Sequence, residues 1–166
     1  MFAELAGVDL TGADFYWALF HGANLEKAAM AGCDLRGAAF HEANLRHADL
    51  SGANCGLDKL GGSTDFINAD LSGAELRNAD IGGADFTGAR LIGADLSGAC
   101  AISTLPARPA RFDGANLADA RLRGAQLTGA VYDDRTIFPR GFKPEDAGMV
   151  AANAEKPRAS HKPRNQ

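Results

Sequence analysis

Large apolar residues recur at every fifth position along most of this 166-residue chain, and the phase of the repeat slips twice. The first run of these centres is Leu5, Leu10, Phe15, Phe20, Leu25, Met30, Leu35, Phe40, Leu45, Leu50, Cys55 and Leu60. The second is Phe66, Leu71, Leu76, Ile81, Phe86, Leu91 and Leu96, and the third is Phe112, Leu117, Leu122, Leu127 and Tyr132. Ala usually stands two residues before a centre, and Asp or Asn often stands directly before it.

A period of five fits neither a helix nor a flat strand. On an α-helix, successive centres would rotate by roughly 140° and cover every face. On a straight strand, an odd period would alternate them between two faces. The chain keeps each Ala and its centre inside only by turning about a quarter circle after every unit, so that four units close a coil of about 20 residues.

Coils stacked at about 4.8 Å would place equivalent side chains in ladders. The spacing predicts that Phe20 lies over Phe40, and that Phe112 lies above Phe66 and Phe86. Each buried Leu or Phe stabilises the fold by about 1.5–3 kcal/mol before conformational entropy is subtracted. Stability should therefore come from neighbouring coils.

Units such as Ala13-Asp14-Phe15-Tyr16-Trp17 and Ala94-Asp95-Leu96-Ser97-Gly98 follow the pattern A(D/N)LXX. Over residues 3–134 the chain resembles the pentapeptide-repeat family. The resemblance implies an all-β fold, a right-handed quadrilateral β-helix (a solenoid) of about six coils. We expect this β-helix over residues 1–134, a short C-terminal cap over 135–150, and a disordered basic tail over 151–166.

Two interruptions break the period. Between Leu60 and Phe66, one extra residue and the pair Gly61-Gly62 predict a small bulge near 61–64. The second interruption, residues 102–111, contains Pro106 and Pro109, which remove backbone donors from any ladder. An extruded loop is favoured there over three distorted repeats.

The two ends of the solenoid differ. Beyond Tyr132, Ile137, Phe138 and Phe142 are expected to cover the last coil, followed by a short helix from Pro144 to about Val150. No matching N-terminal cap is visible because Leu5 is already in register. The first coil is therefore expected to be exposed or covered by another subunit, and a homodimer through the open coil end is one hypothesis.

Composition limits the class of protein. The net charge is −4, and the tail from Ala151 holds four of the 17 Lys and Arg residues but only one of the 21 Asp and Glu residues. The acidic body argues against direct nucleic-acid binding. No long apolar run or secretory leader is visible, which predicts no membrane span. The three cysteines are not clustered, which favours a reducing, cytoplasmic setting.

The sequence contains no recognisable catalytic set, phosphate loop or metal motif. His21 and His41 are 20 residues apart and should stack on one outer face, but no third metal ligand is expected in their column. We therefore predict no enzymatic activity, no cofactor and no metal site.

Outward residues are better candidates for binding a partner. Tyr16, Trp17 and Leu19 form an apolar cluster near the uncapped end, and the predicted loop would present Arg108 and Arg111. The leading hypothesis is a non-enzymatic scaffold that binds a protein partner through its outer faces. A stress or signalling adaptor acting through Tyr16 and Trp17 is a related hypothesis.

A ladder of carboxylates supports a further alternative. Asp14, Asp34, Glu75 and Asp95 are predicted to line one acidic face, with Asn54 between them. The family resemblance implies that such a column can imitate the phosphates of DNA, because some members bind DNA gyrase and topoisomerase IV and some confer fluoroquinolone resistance. However, Asp or Asn is the family's consensus residue at these positions, where its side chain can also bond the local turn backbone.

Overall fold

Short parallel bridges between successive coils organise the backbone. The computed structural model describes residues 2–152, in which the residue directly before nearly every centre pairs with its equivalent in the next coil. The bridges form four ladders, called here faces 1 to 4, which begin at Glu4, Asp9, Asp14 and Leu19. The chain is therefore a parallel β-helix with four sides. Coils 1 to 6 are numbered from the first six residues of face 1, which are Glu4, Asn24, Asn44, Asp70, Arg90 and Asn116; the seventh, Ile137, lies beyond coil 6.

Each corner is a tight turn with a conserved geometry along the rod. The second turn residue has a positive φ in the left-handed region, as at Gly12 (φ +68°), a conformation that glycine adopts without steric cost. The Asp or Asn before the centre accepts a hydrogen bond from the first turn residue. For example, Thr11 N–H donates to Asp9 Oδ1 at 3.0 Å. The acidic residues of the repeat therefore hold the corners.

The interior is filled by the Ala and apolar centres. The phenyl rings form one continuous stack with centroids 4.9 to 5.1 Å apart, in the order Phe20, Phe40, Phe66, Phe86 and Phe112. The predicted ladder contacts are confirmed. The stack also joins Phe40 to Phe66, across the first phase slip, so the core is continuous there.

The first interruption is larger than the sequence predicted. Asp65 pairs with Ala39, 26 residues earlier, so this coil contains six extra residues where a bulge near 61–64 would add one. Residues 56–63, the first corner loop, leave the coil between Cys55 and Thr64. Leu60, predicted as an inward centre, is 86% exposed at the surface of this loop. The interpretation of Leu60 as a core residue was wrong.

The second interruption has the same length and lies at the same corner. Arg111 pairs with Asp85, again 26 residues earlier. Ala101 and Ala110 are both buried in the core, so only residues 102–109, the second corner loop, leave the coil. Ala110 and Arg111 were predicted within the 102–111 loop, but they belong to face 4 instead.

The last coil is covered by the chain that follows it. Strand β1 (Val131–Tyr132) pairs in parallel with β2 (Val150–Ala151). Between them, Phe138 packs against Phe142 and edge-on against Tyr132. The segment after Pro144 consists of turns, and the predicted short helix is not formed.

The first coil has no such cover among the described residues. Leu5, Leu10 and Phe15 are only half-buried, although their counterparts in coil 2 are buried. The basic tail was predicted to begin at residue 151, but Ala151 belongs to strand β2. The rest of the predicted tail lies outside the described residues from 153 onward. Within residues 2–152 the structure contains no helical segment with the length and hydrophobicity of a membrane span.

The corrected register predicts unequal costs for two leucine substitutions. Leu50→Ala removes a fully buried side chain and should lower the free energy of unfolding by about 2–5 kcal/mol. Leu60→Ala changes an exposed side chain and should lower it by less than about 0.5 kcal/mol. Urea unfolding followed by circular dichroism measures both. Equal losses would show that Leu60 is a core residue after all.

Candidate functional site

Both corner loops lie on the corner between faces 3 and 4, which is called the loop corner here. Along the rod it carries Tyr16 and Trp17 in coil 1, Arg36 and Gly37 in coil 2, the first corner loop in coil 3 and the second in coil 5. The other three corners keep the two-residue turn in every coil from 1 to 5. Within coils 1 to 5, the loop corner is therefore the place where the chain departs from its own repeat.

The Asp58 carboxylate anchors the first corner loop. Its Oδ2 accepts hydrogen bonds from Tyr16 Oη at 3.0 Å and from Trp17 Nε1 at 2.9 Å. Its Oδ1 accepts from the backbone N–H groups of Leu60 at 2.8 Å and Gly62 at 2.6 Å. One buried carboxylate thus links coil 1 to the first corner loop, which projects from coil 3.

These hydrogen bonds keep Asp58 ionised. Burial opposes the ionisation, but donation from the Gly62 amide, the Tyr16 hydroxyl and the Trp17 indole lowers the pKa of Asp58 below the ordinary 3.8. Sequence reasoning did not single out Asp58, although it stands two residues before Leu60, where most units of the repeat have Ala.

Trp17 is a structural anchor as well as a surface residue. Its φ is +59°, an unusual conformation for a bulky side chain. A Cβ added to Gly37 would lie 2.8 Å from Trp17 Cε2, and one added to Gly62 would lie 2.6 Å from its Cζ2. The indole therefore fits between two glycines. Trp17 and Tyr16 remain 52% and 45% exposed, while Leu19, on face 4, is 76% exposed.

The two corner loops touch each other. Arg108 Nη1 donates a hydrogen bond of 2.8 Å to the Gly61 carbonyl. Between the loops, a Cβ added to Gly83 would lie 2.5 Å from Leu57 Cγ and 3.1 Å from the Arg108 carbonyl oxygen. Glycine at position 83 therefore lets both loops pack over coil 4 and form one composite surface.

Arg108 and Arg111 do not act as a pair. Arg111 Nη2 lies 2.7 Å from Asp113 Oδ2, and its Nε lies 4.0 Å from Asp85 Oδ2. Arg108 has no carboxylate within salt-bridge distance among residues 2–152. Of the two cations predicted in the loop, Arg111 is therefore held by carboxylates of the rod. Arg108 has no carboxylate partner among residues 2–152.

The predicted acidic face is divided between two sides. Asp14 and Asp34 lie on face 3 and are followed there by Asn54, Asp80, Cys100 and Gln126. Glu75 and Asp95 lie on face 2. The assignment of all four carboxylates to one face was wrong because the first corner loop lengthens coil 3 by six residues and not by one.

Arginines partner several of these carboxylates. Arg36 donates to Asp34 at 2.5 Å, and this hydrogen bond lowers the pKa of Asp34 despite burial. Arg77 pairs with Glu75, and Arg77 and Arg121 lie 3.2 and 3.6 Å from Asp95. Hydrogen bonds from Ser97 are the main cause of the lowered pKa of Asp95. Face 2 is consequently a mixed ladder of both charges.

His21 and His41 stack as predicted, with ring centroids 4.7 Å apart. His41 Nε2 also contacts the Asp65 carboxylate. No group of three or more His, Cys, Asp or Glu side chains arranged to hold a metal ion occurs within residues 2–152.

The four parallel ladders and the five-residue repeat unit define the protein as a β-helical repeat protein. The family model for pentapeptide repeats matches it in eight copies, over residues 2–26, 18–54, 64–101 and 110–131. The chain therefore belongs to the pentapeptide-repeat family, whose members form right-handed β-helices. The unmatched stretches between those ranges, 55–63 and 102–109, coincide with the two corner loops.

Solved structures of the same family resemble the chain. HetL, involved in heterocyst differentiation regulation in the cyanobacterium Nostoc sp. strain PCC 7120, is 21% identical, with a TM-score of 0.58 over 90% of this chain and 69% of HetL. The alr5209 protein from Nostoc is 33% identical, with a TM-score of 0.33 over 80% of this chain and 84% of alr5209. The plasmid-mediated fluoroquinolone resistance protein QnrB1 is 20% identical, with a TM-score of 0.30 over 92% of this chain and 93% of QnrB1. No protein of curated function matches the sequence.

Trp17→Gly should release the first corner loop without weakening the rod. Glycine suits the positive φ at this position, but the hydrogen bond to Asp58 is lost. The amide protons of Leu60 and Gly62, which bond Asp58, should then exchange with deuterium about tenfold faster. Lys27→Gly is the matched control because φ is +58° there as well, at a corner without a loop. Unchanged exchange in Trp17→Gly would contradict the anchoring role.

The same anchor should open in acid. Because the pKa of Asp58 is lowered by folding, its contribution is complete above the ordinary Asp pKa and is lost as pH falls below about 3.8 through the folded value. Trp17 is the only tryptophan, so its fluorescence should report this step. Asp58→Asn should abolish the transition. A transition of the same midpoint in that variant would assign it to another group.

Proposed function

We propose that this protein is a non-enzymatic scaffold whose protein partner docks on the loop corner. The observation that carries the proposal is the pair of corner loops, which have equal extra length, share one corner and are joined by the Arg108–Gly61 hydrogen bond. The rod closes through the same corner without extra residues in coils 1, 2 and 4, so folding alone does not require either loop.

The exposed apolar side chains support this choice of surface. Tyr16, Trp17, Leu60, Ile102 and Leu105 all lie along the loop corner and are more than a third exposed. Apolar and aromatic side chains concentrated in one place on a soluble rod are typical of a protein interface. Loops on a rigid scaffold also commonly carry binding function.

The proposed organisation places this surface on one solenoid. We propose six coils within residues 1–134, a cap that runs from 135 through strand β2, and a basic tail beyond that strand. The three cysteines are unpaired, which agrees with a reducing cytoplasmic environment. Burial raises the pKa of Cys55, so that thiol fits a packing role rather than a reactive one.

Loop replacement tests the scaffold proposal. Replacing residues 56–63 with Ser-Gly, the sequence of the Ser51-Gly52 corner, restores a coil of ordinary length, and the same replacement applies to 102–109. Proteins captured from a lysate of the source organism by the parent chain should be lost with either variant. His47→Ala, at the corner between faces 1 and 2, should retain them. Identical capture by the loop-free variants would overturn the proposal.

A second candidate is a DNA-mimic modulator of DNA gyrase or topoisomerase IV. It is supported by the carboxylates of two faces: Asp14, Asp34 and Asp80 on face 3, interrupted by Asn54 in coil 3, and Asp49, Glu75 and Asp95 in successive coils on face 2. The arginines that pair with Asp34, Glu75 and Asp95 weaken this support. A supercoiling assay with purified protein tests it, since a gyrase modulator should inhibit the enzyme or protect it from a fluoroquinolone. Absence of both effects and of binding would reject this candidate.

The open end of coil 1 supports a third proposal, a homodimer. Among the described residues, the backbone groups of Asp9, Asp14 and Leu19 form no backbone hydrogen bond toward the open end. Two copies related by a two-fold axis would pair these edges in antiparallel fashion and cover Leu19. Light scattering should give the dimer mass for the parent chain and the monomer mass for Leu19→Glu. A monomeric parent chain would exclude the dimer.

A further inference from the structure

Two clefts of different chemistry flank the second corner loop. The cleft between the two corner loops measures about 280 Å³ and is lined by Ser63, Arg108 and Arg111 together with Asp85. On the other side of the loop, a cleft of about 190 Å³ is lined mainly by Ile102, Pro106 and Pro109, next to Thr128 and Gly129 of coil 6. One cleft is polar and cationic, whereas the other is apolar.

The polar cleft has one cation without an acidic partner. Arg111 faces two carboxylates, Asp85 at 4.0 Å from its Nε and Asp113 at 2.7 Å from its Nη2, so it offers no free positive charge. Arg108 donates to a neutral carbonyl and meets no carboxylate in the described part of the chain. The loop carboxylate that could have neutralised it, Asp58, is buried and saturated by four donors. The cleft therefore favours an anionic group from outside.

The rod fixes the distance between the two clefts. The polar cleft opens over Gly83 in coil 4, and the apolar cleft reaches Gly129 in coil 6. Two coil spacings amount to about 10 Å, which is the reach of about three residues of extended peptide. A single segment lying along the rod axis can consequently occupy both clefts across the second corner loop.

We propose that the loop corner binds a linear segment of a partner protein that carries a carboxylate and a large apolar side chain about three residues apart. This inference rests on the proposed scaffold function and specifies the chemistry of the partner. The carboxylate pairs with Arg108 in the polar cleft, and the apolar side chain lies against Ile102 and Pro106. The net negative charge of the chain disfavours strongly acidic segments as a whole, so a single carboxylate placed at Arg108 is expected to bind better than an acidic run.

Selection from a random twelve-residue peptide display library tests the proposal. The parent protein should enrich peptides with Asp or Glu three residues before or three residues after Leu, Ile, Phe or Met. A fluorescein-labelled consensus peptide then measures affinity by anisotropy. Arg108→Glu should weaken binding at least tenfold, and a peptide with Lys in place of its acid should regain affinity for that variant. Arg123→Glu, an exposed cation on another corner, is the matched control and should not change binding.

A second matched pair of variants tests the apolar cleft. Ile102→Ser should weaken the consensus peptide about tenfold, whereas Ile137→Ser, which changes an isoleucine of similar exposure near the C-terminal end, should have no effect. The inference would be overturned if no peptide were enriched, or if the consensus peptide bound Arg108→Glu and Ile102→Ser with the same affinity as the parent protein.

The outcomes separate this inference from the broader proposal. Basic or purely apolar peptides that still require the corner loops would reject the acidic motif and leave the scaffold function standing. Peptides that bind the loop-free variants as well as the parent chain would reject both.

Discussion

The structure depends on a backbone that turns in the left-handed conformation once in every five residues. The turn lets each Ala and its apolar centre point inward from the same short bridge segment, and the preceding Asp or Asn holds the corner, as Asp9 does for Thr11. The bridge segments and the interior tolerate no added residues, because an extra residue would turn the following centre outward. Additional chain can leave only at a corner, and both corner loops do so.

This constraint also explains what the repeat could and could not predict. The period, the inward alanines and the phenylalanine stack follow from spacing alone, so the four-sided coil was predictable before any coordinates. The length of an interruption was not predictable from this spacing. A period of five shifts by the same phase whether one or six residues are inserted, so the first corner loop looked like a bulge and Leu60 looked like a centre.

The candidate site was predictable in part for related reasons. Tyr16, Trp17 and Arg108 were recognisable as outward residues because they fall outside the repeat's inward positions. The contacts that join these residues were not predictable. They are made through the first corner loop, at Asp58 and Gly61, and the repeat does not reveal the true length of that loop. One signal was present. A carboxylate at the position of the inward Ala cannot remain unpaired in a dry core, so Asp58 already contradicted a regular unit around Leu60. Glu75 and Asp95 were misplaced by the same error in length.

The contact of Trp17 with Gly37 implies that the residue at one corner restricts which residue can stand at the same corner one coil later. A large side chain at the second corner position leans over the same position one coil later, and His47 over Gly73 and Asn78 over Gly98 repeat the arrangement. Where a side chain lies directly over its successor, as Trp17 does over Gly37, the two corner positions should therefore covary in a directional manner. Corners with a flexible side chain are exempt, because Lys27 precedes His47 and Glu42 precedes Asn68. Any lineage that acquires a new aromatic corner must first hold, or gain, a glycine one coil downstream.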